Sequence, residues 1–344
     1  MGDRKIVFFD IDNTLWDYSL AIPESTRSAI VELRRNGHLA FINSGRSRGY
    51  IRDENLFSLG FDGVVSSCGE MIECTPECLD VGSGVQNGKT IEQKVGSGGQ
   101  NGKTAEQEVE FGIQNGKTAE QKNTELSRDP GMDAQNPIRS ADELKEPESI
   151  TTKLDWNRVV YSYEMSSEEI ERCVRTVRRY KMRPILEGKE YLYFDEHEFG
   201  ADAYGEFVRS TMGDALLGID SNWGKWEVSK LSCAMDDPAL IKPCFDELSD
   251  LLSYLVHNEE VVEMVPLGFS KGTGIEKVCE LTGISVKDTI AFGDSVNDLE
   301  MLKAAGIGVA MGNGTTVAKE ASDYVTTDIH DDGIWNALKY LGLI

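Results

Sequence analysis

The chain has 344 residues, a formal net charge of −24 and 40% hydrophobic residues. This length predicts about two domains with a sizeable core. The acidic balance argues against nucleic acid or an anionic membrane surface as a partner, because both require a basic footprint. No apolar run approaches the ~20 residues of a membrane span. The N-terminal residues lack a signal-peptide layout, and the seven scattered cysteines are typical of reduced thiols, so we expect a soluble, cytoplasmic protein.

The first 75 residues alternate between strand and helix patterns. Residues 5–10 are an apolar run that predicts a buried strand, and residues 23–37 have the period of an amphipathic helix ending at Gly37. Two further strands are predicted in HLAFINSGR (38–46) and GFDGVVSSCG (60–69). This alternation is typical of parallel strands joined by crossover helices.

A tandem repeat begins shortly after Thr75. Three consecutive 14-residue units, at 81–94, 95–108 and 109–122, share the motif QNGKT, and a polar, proline-containing stretch continues to about residue 150. Each unit has too few apolar residues to build a stacked core. We therefore interpret about 81–150 as a low-complexity surface insertion, disordered or weakly ordered, and as a candidate contact surface for an unidentified partner.

The region from about 155 to 265 mixes strand and helix patterns without regular alternation. The patterns predict a strand in DWNRVVYSYEM, a helix in SSEEIERCVRTVRRYKM, a hairpin across RPILEGKEYLYFD, a strand in WEVSKLSCAM and a largely helical PALIKPCFDELSDLLSYLV. From about Pro266 the regular alternation returns. We therefore predict an α/β fold with a doubly wound, Rossmann-like parallel sheet core formed by residues 1–75 and 266–344. The inserted α+β domain would be 76–265, and it would contain the repeats.

Polar residues collect after the predicted core strands, where open parallel sheets bind ligands. They are Asp10, Asp12 and Thr14 after the first strand, Ser44, Gly45 and Arg46 after the second, and Asp294, Ser295, Asn297 and Asp298 after a later one. Alternation along the strand gives Asp10 and Asp12 the same direction, and Asp294 adds a third carboxylate. Their repulsion calls for a cation, and hard oxygen ligands with room for water and phosphate suit Mg²⁺. Lys271 and Arg46 would add further positive charge.

The set DIDNT (10–14), Ser44, Lys271 and GDSVND (293–298) closely resembles the haloacid-dehalogenase superfamily of aspartate-dependent phosphohydrolases. INSGR, SKGTGIEKV, GDSVNDLEML and AMGNG look like its Cof-type branch, which carries an α/β cap. The resemblance covers residues 5–75 and 266–330. Two departures are Asn13, where the family usually has Gly, and Ser44, where Thr is commoner, and both keep the needed chemistry.

The resemblance implies a Mg²⁺-dependent phosphatase acting on a small phosphorylated metabolite such as a sugar phosphate. Asp10 would attack phosphorus to form an aspartyl-phosphate, and Asp12 would protonate the leaving alkoxide and then activate water. Lys271 would balance the charge of Asp10 and of the phosphoryl group. Mg²⁺ would be held by Asp10, Asp294 and the backbone carbonyl of Asp12. The resemblance also implies phosphate binding by Thr14, Ser44, Gly45, Arg46 and Asn297, with Asp298 orienting Lys271 or a metal-bound water.

Two other functions remain open at this point. The core motifs do not separate water from a sugar hydroxyl as the acceptor, so a phosphomutase or phosphotransferase fits the same chemistry. A non-catalytic binding protein whose repeats engage a partner is the alternative from another class. A dehalogenase is disfavoured, because those relatives do not need the second aspartate, Asp12.

Overall fold

The computed structural model describes residues 4–79, 158–196, 203–256 and 261–344. These residues belong to one compact unit of the chain, residues 1–93 and 145–344. The interpretation of the 14-residue repeats falls outside the described residues. Within the described ranges, no helix combines the length and apolarity needed to cross a membrane.

The larger sheet contains eight strands within the part of the chain that the structure describes. In spatial order they are β14 (Tyr324–Val325), β13 (Ile307–Ala310), β12 (Thr289–Gly293), β1 (Ile6–Phe9), β2 (Leu39–Asn43), β3 (Gly63–Ser66), β4 (Met71–Cys74) and β5 (Val159–Ser162). The pairs from β14 to β3 are parallel, whereas β4 pairs antiparallel with β3 and β5 antiparallel with β4.

Helices cover both faces of this sheet. They are α1 (Glu24–Arg35), α2 (Glu54–Phe57), α6 (Lys271–Thr282), α7 (Leu299–Ala304), α8 (Thr316–Ala321) and α9 (Gly333–Tyr340). The alternating side chains of β1 show why two layers form: Val7 and Phe9 pack in the core that contains α1 and α9, whereas Ile6 and Phe8 pack in the core that contains α6. The predicted doubly wound α/β core is therefore confirmed.

The second sheet has six described strands, and all but one of the pairs between them are antiparallel. In spatial order they are β10 (Leu252–Val256), β11 (Val261–Pro266), β9 (Lys230–Ala234), β6 (Arg183–Glu187), β7 (Leu192–Phe194) and β8 (Leu216–Gly218). Among the described residues, three α-helices accompany it: α3 (Ser167–Arg179), α4 (Ala203–Met212) and α5 (Ile241–Asp246). We refer to this sheet and its helices as the cap.

Two details of the middle region differ from the sequence patterns. Only Ile241–Asp246 of the segment predicted as largely helical is α-helical, and its end, Leu252–Val256, is strand β10. Leucines 248, 251, 252 and 255 have helical spacing, but antiparallel pairing with β11 overrides it. Residues 159–162, which fall within the predicted insertion, pair with β4 of the larger sheet. The domain limits 1–75, 76–265 and 266–344 stay a prediction.

Candidate active site

The candidate site lies at the carboxyl ends of β1, β2 and β12. Asp10 follows β1 directly, and its backbone N–H still donates to the carbonyl of Phe292 in β12, at 3.0 Å. Lys271 is the first residue of α6, which begins at the capping box formed by Ser270 and Thr273. The strand ends and one helix start therefore fix the backbone positions of the charged groups.

Lys271 bridges two carboxylates in the interior of the protein. Its Nζ donates to Asp10 Oδ1 at 2.7 Å and to Asp298 Oδ1 at 2.6 Å, and the side chain of Lys271 is 0% exposed. Burial lowers the pKa of this ammonium group, but the charges and hydrogen bonds of the two aspartates outweigh burial and raise it above its ordinary value. Lys271 is therefore a fixed positive charge beside Asp10.

Asp298 organises the loop that follows β12. While its Oδ1 accepts from Lys271, its Oδ2 accepts from the backbone N–H groups of Asp294 and Ser295, at 2.9 and 3.0 Å. Both oxygens of this fully buried carboxylate are thus occupied by donors. This geometry suits a residue that positions Lys271 and Asp294.

Asp10 and Asp294 both carry a cost of burial. Burial, followed by the charge of Asp298, raises the pKa of Asp10 well above its ordinary value, while Lys271 acts in the opposite direction. Burial and the same Asp298 charge raise the pKa of Asp294 to about 7. Ionised carboxylates at these two positions therefore call for additional positive charge nearby.

Asp12 has different surroundings, because its side chain is 49% exposed and pairs with Arg46. Arg46 donates from Nε to Oδ2 and from Nη2 to Oδ1, both at 2.8 Å, and Trp16 Nε1 donates to Oδ1 at 3.0 Å. Partial burial raises the pKa of Asp12, but the hydrogen bonds and charge of Arg46 outweigh it and lower the pKa overall. Asp12 is thus held in its ionised form.

A cavity of about 160 Å³ lies over these groups. Its walls on the larger sheet include the predicted residues Asp10, Asp12, Ser44, Gly45, Arg46 and Asn297. Thr14 is not among them; its side chain is fully buried and its Oγ1 has no hydrogen-bond partner among the described residues. The structure therefore brings most of the predicted phosphate-binding residues to one cavity, whereas Thr14 is not part of its lining.

The cap supplies the rest of the cavity wall, and the sequence patterns did not identify these residues. They are Glu187 from β6, Lys230 and Ser232 from β9, and Val261 and Glu263 from β11. A signal was present in the sequence: Glu263 interrupts the apolar run VVEMV, and Glu187 and Lys230 stand at the ends of the largely apolar segments RPILE and KLSCA. Tyr50, on the loop after β2, also lines the cavity.

The donor set fits a magnesium ion. Carboxylate oxygens of Asp10, Asp294 and Asp298 lie within 4.8 Å of one another. Since both oxygens of Asp298 already accept hydrogen bonds, Asp10 and Asp294 are the two that remain for a cation. The four aspartates 10, 12, 294 and 298 face two cations, Lys271 and Arg46, among the described residues here, so a divalent ion would balance the charge.

The chain is similar to known proteins over nearly its whole length. The family model for haloacid dehalogenase-like hydrolases matches residues 7–81 and 149–338. The chain is 30% identical over 342 residues to a Bacillus subtilis (strain 168) protein named "Putative phosphatase YkrA", with 99% of each covered. It is also 40% identical to 5-amino-6-(5-phospho-D-ribitylamino)uracil phosphatase YcsE of the same organism over 79 residues. This match covers 23% of this chain and 32% of that protein.

Solved structures with a similar fold include a hypothetical protein of Geobacillus kaustophilus HTA426, with a TM-score of 0.66 and 22% identity over 99% of this chain and 100% of that one. The HAD subclass IIB sugar phosphatase BT4131 has a TM-score of 0.65 and 20% identity over the same shares. At these identities the structures show the fold alone. The family model covers well over half of the chain, so the prediction from the motifs is confirmed, and the chain belongs to the haloacid dehalogenase-like hydrolases, in their Cof-type branch.

Proposed function

We propose that this protein is a Mg²⁺-dependent phosphatase that hydrolyses a small phosphorylated metabolite, of the sugar phosphate class, through a phosphorylated Asp10. The observation that carries the proposal is the buried arrangement of Asp10, Lys271, Asp298 and Asp294, in which Asp10 lines the 160 Å³ cavity. Relatives named as phosphatases support the reaction class.

Asp10 is the proposed nucleophile. An ionised carboxylate can attack phosphorus without help from a base. The ammonium group of Lys271, 2.7 Å from Asp10 Oδ1, favours the ionised form of Asp10. Lys271 donates to Oδ1, whereas Oδ2 accepts no hydrogen bond from the described residues, so one oxygen is left to form the bond to phosphorus. The bond from phosphorus to the leaving alkoxide then breaks, and the phosphoryl group remains on Asp10.

Asp12 is the proposed proton carrier, and its pairing with Arg46 sets a condition on that role. As a base, ionised Asp12 accepts a proton from the water that hydrolyses the phosphorylated Asp10. As an acid in the first step, Asp12 must first hold a proton, which the two hydrogen bonds from Arg46 oppose. We infer that a phosphate dianion in the cavity competes for Arg46 and so weakens its grip on Asp12.

Phosphate oxygens would be bound by residues that line the cavity beside Asp10. Ser44 and Asn297 offer a hydroxyl and an amide there, and Arg46 offers a guanidinium. Asp10, Asp294 and the backbone carbonyl of Asp12 would hold Mg²⁺. When bound, the ion offsets charge between the carboxylates and the phosphate dianion.

The test is release of phosphate from para-nitrophenyl phosphate by the full chain. We expect turnover that requires Mg²⁺, is stopped by a chelator and falls on the order of 10³-fold or more in Asp10→Asn. Asp214→Asn, an exposed cap position, is the matched control and should keep wild-type turnover. Normal Mg²⁺-dependent release by Asp10→Asn would overturn the assignment of the nucleophile.

A labelled phosphate ester supplied with a sugar separates the hydrolase from a phosphotransferase. The proposal predicts that the label appears in inorganic phosphate. Label that appears mainly in the sugar would instead assign a sugar hydroxyl as the acceptor.

A further inference from the structure

Three charged residues of the cap form an ion-pair cluster, Glu187–Lys230–Glu263, which we call the cap triad. Lys230 lies at hydrogen-bond distance from Glu263 and 3.6 Å from Glu187 Oε2. All three residues are 3% exposed and line the cavity opposite Asp10. Buried charges of this kind are costly unless they are paired, so their position over the site requires an explanation.

Strand register places the triad on a single face of the cap sheet. Glu187 lies directly opposite Lys230 across β6 and β9, and Glu263 lies opposite Ser232, two residues further along β9. Neighbouring residues on the same three strands, Leu186, Leu231 and Met264, lie in the apolar core on the other face. The sheet therefore packs its apolar face within the cap and turns its polar face toward the cavity.

The triad also reaches the loop that carries the proposed phosphate-binding residues. A Cβ added at Gly45 would lie 3.2 Å from Glu263 Oε1 and 3.6 Å from Cys68 Sγ, so the absence of a side chain at Gly45 permits this close approach. Cys68 Sγ lies 3.7 Å from the same Glu263 oxygen. Whatever group is attached to the phosphate must therefore share the cavity with Glu263.

The charge of the triad limits what that group can be. Two carboxylates and one ammonium give the cap wall a formal excess of one negative charge, so an acidic leaving group would face repulsion from the cap as well as from Asp12. A cationic leaving group would meet Lys230 in the position between the two glutamates. A hydroxyl group avoids both conflicts, since it can donate to a carboxylate and accept from the ammonium.

We propose that the cap triad selects phosphate monoesters of short, neutral, hydroxyl-bearing alcohols by hydrogen bonding to their hydroxyl groups. This inference rests on the proposed phosphatase function and specifies its substrate class. The volume of the cavity, about 160 Å³, is close to that of a cavity that holds one benzene molecule, and it must hold the phosphoryl group as well, so the alcohol is small.

Three four-carbon esters provide the test: erythritol 4-phosphate, 4-phosphoerythronate, which has a carboxylate in place of one hydroxymethyl group, and n-butyl phosphate, which has no hydroxyl group. We expect kcat/KM of the wild type for erythritol 4-phosphate to exceed that for each of the other two by about 10²-fold or more. A site built to hydrogen-bond a hydroxyl rejects n-butyl phosphate, which has none. The excess negative charge of the cap wall repels the carboxylate of 4-phosphoerythronate. Equal kcat/KM values would overturn the inference.

The variant Glu187→Gln makes the cap wall formally neutral while Lys230 keeps Glu263 as its partner. We expect the preference for erythritol 4-phosphate over 4-phosphoerythronate to fall by about tenfold. Glu190→Gln changes the net charge equally at an exposed cap position outside the cavity, and should leave the preference unchanged. Circular dichroism and thermal unfolding check that both variants are folded, and an unchanged preference in a folded Glu187→Gln would contradict the role of the triad.

Turnover of para-nitrophenyl phosphate separates the two levels of the account. If the wild type with Mg²⁺ releases phosphate neither from this ester nor from any of the three four-carbon esters, the proposed function itself fails. If phosphate is released but the three four-carbon esters are used equally well, the phosphatase stands and the role of the triad is refuted.

Discussion

Lys271 shows how one residue can make a cluster of buried aspartates tolerable. Its ammonium group contacts Asp10 and Asp298, and none of the three side chains is more than 4% exposed. Because a buried charge without a partner costs several kcal/mol, the stability of this end of the sheet and the ionisation of Asp10 both depend on Lys271.

We predict that Lys271→Met lowers the free energy of unfolding by about 3–5 kcal/mol and reduces kcat on the order of 10²-fold or more, because Asp10 would then hold a proton. Urea unfolding and steady-state turnover measure the two effects. Lys277→Met removes a lysine of the same helix that pairs with exposed Glu280. We expect it to lower the free energy of unfolding by no more than about 1 kcal/mol. Similar losses of stability and of kcat in both variants would show that the buried bridge from Lys271 to Asp10 and Asp298 contributes no more than an exposed ion pair.

Glu70 is a second buried carboxyl group, and the proposed reaction does not use it. It is 0% exposed, and neither of its oxygens has a hydrogen-bond partner within 3.5 Å among the described residues. Burial raises its pKa well above the ordinary value, although Lys230 and a more distant contact with Ser229 act in the opposite direction. The titratable groups facing it are Lys230, Glu263, Glu187, Cys68, Tyr161 and Tyr163.

This raised pKa predicts a pH dependence of folding. The folded chain holds the Glu70 proton to a higher pH than the unfolded chain does, so Glu70 lowers stability as the pH rises from the ordinary range of glutamic acid through the raised pKa. Glu70→Gln should therefore lose less stability than the wild type as the pH rises above the ordinary titration range of glutamic acid. Urea unfolding in buffer with a chelator measures this, and exposed Glu77→Gln serves as the control. Identical pH profiles for all three proteins would contradict the prediction.

At the scale of elements, the start of α6 is fixed by a close contact with the turn before β4. Gly69 has a φ of +94°, and a Cβ at this position would lie 2.7 Å from the carbonyl oxygen of Ser270 and 3.0 Å from the backbone nitrogen of Gly274. Since Ser270 caps the helix that begins with Lys271, this contact couples the turn to the site.

We expect Gly69→Ala to lower the free energy of unfolding by about 2–4 kcal/mol, from backbone strain and steric overlap together, and to reduce turnover by displacing Lys271. Gly37→Ala is the matched control, because its φ is +88° but no atom lies within 4 Å of the added Cβ. Gly37→Ala should lower the free energy of unfolding by only about 1 kcal/mol, from backbone strain alone, and should leave turnover normal. Equal effects of both substitutions on turnover would refute the proposed contact.

The elements that build the core could be predicted from local patterns, and those of the cap only in part. Strands β1, β2 and β12 are short apolar runs followed by polar residues, so their type and the site at their ends are visible in the sequence. Strand β10 is not, because its leucines have helical spacing and only pairing with β11 decides its structure.

The same distinction applies to the site. Asp10, Asp12, Lys271 and Asp294 are recognisable as motifs because each stands next to a strand or helix end with a typical local sequence. The cap triad comes from three strands spread over residues 183–266, and its contacts arise only from tertiary pairing. Its members could be suspected as charges in apolar strands, but not assigned to the cavity.

At the scale of the whole molecule, β4 and β5 are neighbours in the larger sheet although they are far apart in sequence. Cα of Glu73 in β4 pairs with Cα of Val159 in β5, and the family model leaves 82–148 unmatched between its two segments. The residues that remain on either side of 81–149 suffice to connect two adjacent antiparallel strands.

We therefore predict that deleting 81–149 leaves kcat/KM for a small phosphate ester within a few-fold of the wild type. The measurement compares full-length and deleted chains on para-nitrophenyl phosphate and erythritol 4-phosphate. A loss of more than about 10²-fold with a folded chain would mean that the repeats contribute to the cap or to the site.

The central claim, that phosphoryl transfer passes through Asp10, is tested most directly by trapping the phosphorylated chain. In Asp12→Asn the proposed base is absent, so para-nitrophenyl phosphate with Mg²⁺ should phosphorylate Asp10 and hydrolysis should lag behind. After an acid quench and proteolysis, tandem mass spectrometry should find one phosphoryl group on Asp10, and none in Asp10→Asn. A phosphoryl group on a different residue, or turnover with no phosphorylated chain at any time, would contradict the account.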